Sequence, residues 1–167
     1  MNKTLPLFAL LLSASAHCQT LTEIEGLESR YEALTEELLA LQGRMLQELD
    51  PRRTLPAQGR AEIDYKALTS CGDVLGSASQ RLTALRQVVN ISQFVWDSTA
   101  QSLARPYIEL QVQALTKHLN RSSTYLDQIS EAPHSRQVIV MCGRIHGLVR
   151  ESIPVVDRVR PAWAPKQ

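Results

Sequence analysis

The sequence predicts an all-α protein, an up-and-down bundle of about four helices that opens with a long, amphipathic, heptad-patterned N-terminal helix. Three observations predict it. Apolar residues fall on a seven-residue repeat over residues 21–49. The later apolar segments keep a three-four spacing, and β-branched runs are too short and too poorly alternating for a strand. Proline, glycine and capping residues divide the chain at short intervals, and short connections make antiparallel neighbours.

The first helix carries Ile24, Tyr31, Leu38 and Met45 on one side of its seam and Leu27, Leu34 and Leu41 on the other. Asp50-Pro51 ends it, because proline has no N–H for the helical ladder and biases its predecessor away from helical angles. Residues 51–59 read as a linker containing Pro51, Pro56 and Gly59. A helical pattern resumes at Ala61 and is interrupted by Ser70-Cys71-Gly72-Asp73, residues that favour a turn or a new N-cap, so that one long kinked helix or two helices would fit. Beyond the interruption Leu75, Ala78, Leu82, Leu85 and Val89 share a face, which Ser92, Trp96, Thr99 and Leu103 extend to about Ala104. Arg105-Pro106 reads as a tight break, with Pro106 opening the third helix. That helix presents Ile108, Val112, Leu115, Leu119, Ser122, Leu126 and Ile129, and stops near Ala132-Pro133. The fourth begins near His134 and turns Val138, Cys142, Ile145, Val149, Val156 and Val159 inward. Pro154 is expected to kink or end it, at about 3 kcal/mol in an unrelieved interior. Residues 17–160 read as one domain and residues 161–167 as a flexible, proline-rich tail.

Residues 1–16 read as a secretory signal peptide: Lys3 supplies the positive start, Leu5 to Leu12 the apolar run, and Ala14-Ser15-Ala16 the small-residue cleavage site. Cleavage before His17 would send the mature chain to the periplasm or outside the cell. The apolar run is too short for a membrane span. Cys18 is not read as a lipid anchor, because His17 stands where a lipobox wants a small residue. In an oxidising compartment the three cysteines imply a disulfide, and Cys71–Cys142 is the favoured pair. An unbroken helix through Gly72 would put those two at different levels, so this pairing is expected to need a chain break there.

Net charge is only +1, against a nucleic-acid binder that must neutralise many phosphates. The charge is unevenly placed. Residues 20–50 hold eight acids and two arginines, a balance of −6, while fifteen Lys and Arg face nine acids from Pro51 onward, a balance of +6. The acidic helix is therefore expected to dock against the basic remainder of its own chain. Val140, Gly143, Gly147 and Pro154 cluster opposite the main apolar face of the fourth helix and offer a surface for close approach. Pairing of the seam with another molecule, as a homodimer or with a second protein, is the alternative. Its contacts would be Tyr31, Leu34, Leu38 and Leu41.

No nucleophile-base pattern, zinc signature, phosphate loop or Cys-x-x-Cys-His haem attachment occurs, and no enzyme activity or cofactor is assigned. Cys142 and His146 stand at metal-ligand spacing on a helix, but two ligands do not make a site. Asn90-Ile91-Ser92 and Asn120-Arg121-Ser122 match the glycosylation acceptor pattern. The expected function is protein–protein interaction with another envelope or secreted protein, as by a secretion or pilus accessory, a chaperone-like factor or an immunity or inhibitor protein. A haem or metal carrier and a secreted helical signalling protein are the competing expectations.

Overall fold

The structure, a computed structural model, describes residues 5–48, 55–92, 98–131 and 134–159. It is an all-α bundle of α1 (Leu5–Glu48), α2 (Leu55–Ser92), α3 (Ser98–Glu131) and α4 (Arg136–Val159). Consecutive helices are neighbours, α1 closes back on α4, and α2 also touches α4 across the diagonal. The diagonal pair is thus the spine, with α1 seated against one side of it and α3 against the other.

The heptads of α1 explain where it sits. All seven seam residues, Ile24, Leu27, Tyr31, Leu34, Leu38, Leu41 and Met45, are buried in the common core. Facing them are Leu68, Val74, Leu75, Ala78, Leu82, Leu85 and Val89 of α2 and Val138, Ile145, Val149 and Val156 of α4, so one apolar stripe per helix meets its counterparts. Leu38 packs directly on Gly72, where an added Cβ would lie 2.9 Å from its Cδ2. Gly72 is therefore the notch in α2 that admits the α1 seam.

The structure corrects several expected boundaries. The second helix begins at Leu55, so Pro56 and Gly59 are helical; near a helix start the N–H that proline lacks would have had no partner in the helix. It is continuous through Ser70-Cys71-Gly72-Asp73, where tertiary packing outweighs local turn preference. It ends at Ser92, not at Ala104, and α3 starts at Ser98 and runs through Pro106. Pro106 is an exposed interior residue of α3 and not its opening one. α4 likewise continues past Pro154, which is exposed, to Val159. Trp96, the Asp50-Pro51 stop and the tail lie outside the described residues.

The disulfide joins Cys71 to Cys142, with Cα atoms 5.6 Å apart. No break at Gly72 is needed. The reason is stagger: α4 starts beside Asp64, well above the first residue of α2, since Asp64 accepts hydrogen bonds from the Ser135 N–H at 3.1 and 3.2 Å. From that level, seven residues up α2 reach Cys71 and seven or eight up α4 reach Cys142.

Candidate partner interface

Three ion pairs tie α1 to α4 along one edge. Arg158 Nη2 lies 2.6 Å from Glu23 Oε2, Arg30 Nη1 lies 2.6 Å from Glu151 Oε2, and Arg144 grips both oxygens of Glu37. Each step moves seven residues along α1 and seven back along α4, so antiparallel helices meet at the same point of each heptad. The pairing with Arg144 holds the Glu37 carboxyl below the usual glutamate range. On the α2 side, Glu28 pairs with Arg86 and accepts from the Thr83 hydroxyl. Three acids of α1, Glu23, Glu28 and Glu37, thus meet arginines of their own chain, while Arg30 meets an acid. The glycines of α4 take no part in a close approach, because added Cβ atoms at Gly143 and Gly147 would meet nothing within 4 Å.

The four residues expected to meet a partner are therefore core residues of this chain: Tyr31, Leu34, Leu38 and Leu41 are all at most 5% exposed. Tyr31 shows how fully the seam is used. Ser152 donates its hydroxyl hydrogen to the Leu148 carbonyl at 2.9 Å, which leaves its oxygen to accept from Tyr31 Oη at 3.0 Å. Burial pushes the Tyr31 phenol up to about 12, against the lowering effect of Ser152 and Arg30. A pKa raised in the folded state gives stability that is whole below the unfolded value near 10 and is lost as pH rises from there through 12. Tyr31→Phe is expected to remove that alkaline sensitivity at a cost of about 0.5–1.5 kcal/mol. Ser152→Ala, which orphans the buried phenol, should cost more, about 1–3 kcal/mol; urea melts at pH 7 and pH 10.5 compare them.

Polar groups that the spacing did not reveal gather on the far side of the spine. Arg81 donates through Nε to His118 Nε2 at 3.2 Å, so His118 carries its ring proton on Nδ1. Burial first, then Arg81, Arg121 and Lys117, lowers the His118 pKa. His146 shares a hydrogen bond with Ser122 at 3.0 Å and does not join Cys142 as a ligand, Cys142 being in the disulfide. His134 Nδ1 contacts Asp64 Oδ1 at 2.7 Å, and with the Ser135 N–H it anchors the start of α4. Arg81–His118 joins α2 to α3, His134–Asp64 joins the start of α4 to α2, and His146–Ser122 joins α4 to α3. Among the described residues no group of three or more His, Cys, Asp or Glu could hold a metal ion.

What remains exposed is unevenly placed. Among the described residues the exposed large apolar side chains are Leu39, Leu46, Ile63, Leu110, Ile139 and Val140, Leu39 at 60%. Pairing of Glu37 with Arg144 and of Asp64 with Ser135 puts Leu39, Leu46, Ile63, Ile139 and Val140 at one end, where α1 finishes and α2 and α4 begin. Among the described residues Leu110 alone is at the other end. Between α1 and α4 at this basal end lies a groove of about 380 Å³ walled by Ala40, Leu41, Val140 and Met141, with Arg44, Arg144 and Gln137 on its rim. A second hollow of about 480 Å³ adjoins it, sharing Leu41, Arg44 and Gln137 and adding Asp64, Ser135 and Arg136.

The fold and this end together define an all-α, disulfide-braced bundle with a groove-bearing apolar end. No protein-family model, curated protein or solved structure matches the chain. Among the described residues no helix is long and apolar enough to cross a membrane.

Proposed function

We propose that this chain is exported and that its mature form acts by binding another envelope or secreted protein with its basal end. The observation that carries the reading is that, among the described residues, five of the six exposed large apolar side chains lie toward this end, where Val140 walls a groove, while the heptad seam is consumed inside. Scattered surface leucines are ordinary, whereas a cluster at one end of a small bundle is a contact surface in waiting.

Export rests on the leader pattern of residues 1–16 and is supported by two structural features. A buried disulfide suits an oxidising compartment. The pairing of Glu23 with Arg158 also puts the end of α4 level with residue 22 of α1, so cleavage after Ala16 leaves the described ion pairs and the seam residues Ile24 to Met45 in the mature chain.

A photo-crosslinking residue placed at Leu39, Ile63 or Val140 of the full chain in cells should give a discrete adduct, and one at Leu110 none. Equal labelling from both ends, or none from the basal end, would sink the reading. The adducted chain is expected to begin at His17 by N-terminal sequencing, and a retained leader would defeat the export half alone.

A further inference from the structure

The α1–α4 ion-pair series stops one step short. Glu23·Arg158, Arg30·Glu151 and Glu37·Arg144 are closed, and the next step of seven brings Arg44 of α1 level with Gln137 of α4. Gln137 carries no charge to answer the arginine. Among the described residues Arg44 has no ion-pair or hydrogen-bond partner, and it stands on the rim of both hollows. Arg136, likewise without one, borders the second hollow. Two described acids that border the hollows are committed: Glu37 is held by Arg144, and Asp64 is buried against His134 and the Ser135 N–H. Below the rim the surface is apolar, built from Leu41, Met141 and half-exposed Val140.

We infer that the open fourth step receives a carboxylate from a partner protein, whose bound segment pairs acidic with apolar side chains. This rests on the docking role proposed above for the basal end. The carboxylate answers Arg44 by a charge-assisted hydrogen bond, which is stronger than a neutral one and bidentate where the fork is free. The neighbouring apolar side chain covers Val140 and Leu41. The charge supplies orientation and encounter rate, and the apolar contact supplies the burial. Gln137 keeps the site open, because a glutamate there would satisfy Arg44 internally and compete with the partner.

That competition gives the test. The exported, mature chain is titrated with capped Leu-Glu-Leu-Glu peptide and its glutamine analogue, following backbone amide resonances. The acidic peptide should shift Arg44, Gln137 and Val140 and weaken with added salt, and the glutamine analogue should bind about tenfold less well. Gln137→Glu should also lose about tenfold in affinity while its thermal midpoint holds or rises, which separates a closed site from an unfolded one. Arg44→Gln should match it. Equal binding of the two peptides, or wild-type binding by Gln137→Glu, overturns the inference. In cells, an adduct from Val140 that persists in Gln137→Glu overturns it too while leaving the docking end standing. An adduct of two copies of this chain gives the groove to a homodimer instead. Absence of any basal adduct in the wild type removes the parent reading and this one with it.

Discussion

Replacing Cys71 and Cys142 together by serine is expected to lower stability by about 4 kcal/mol, the chain-entropy value for a long closed loop. The two cysteines are 71 residues apart in sequence and are bonded across the α2–α4 diagonal. The bond therefore closes a loop of rather less than half of the unfolded chain and couples the two helices that the other two lean on. Domains of this kind are stable by roughly 5–15 kcal/mol in total, so the loss takes a large share. Urea midpoints with and without reductant measure it, and the reduced wild type should coincide with the double serine variant. Both sulfurs belong to nearly fully buried residues, 3% and 1% exposed. Reductant should thus act slowly on the native protein and quickly once urea opens it. A urea midpoint indifferent to reductant would contradict the proposed weight of this bond.

Adjacent leucines on α1 should give opposite results. Leu38→Glu is expected to unfold the protein, because Leu38 is 4% exposed and lies against Gly72. Deleting such a side chain already costs about 2–5 kcal/mol, and burying an unpaired carboxylate adds to that. Leu39→Glu, at a position 60% exposed, should fold with stability within about 0.5 kcal/mol of wild type. Far-UV circular dichroism and urea melts distinguish them. A folded Leu38→Glu chain that had merely lost a partner would return the seam to the role of an intermolecular surface.

The contrast between these two residues also marks how far the sequence could be read. The seam of α1 was legible because heptad spacing is a one-dimensional record of which side of a helix is buried, and all seven of its residues are in the core. On α4 the expected Val138, Cys142, Ile145, Val149 and Val156 are buried, but so are Met141, Leu148, Ser152 and Val155, so the inner face is wider than a single stripe. Pro106 and Gly72 misled, since each was weighed as a local breaker while packing along the full length of α3 and α2 decided the outcome. The polar pairs were invisible. Tyr31 and Ser152 are 121 residues apart and Asp64 and His134 are 70 apart, and nothing local to either partner announces the other. The basal end was hidden likewise, because Leu39, Ile63 and Val140 come from three helices and are brought to one level only by the stagger of α4.

The signs of the three α1–α4 ion pairs alternate: acid on α1, then base, then acid. Had all three run the same way, α1 could slip by one heptad and find every charge satisfied again, since the apolar seam repeats every seven residues and looks the same after the slip. With alternation, a slip that carries Glu23 to the level of Glu151 also carries Arg30 to the level of Arg144, so like charges confront each other at both places. Exposed pairs of this sort add little to stability when correctly made. Their worth is in what they forbid: they act as a key that fits one tooth of a repeating lock, and they give a nearly periodic helix a single address along its neighbour.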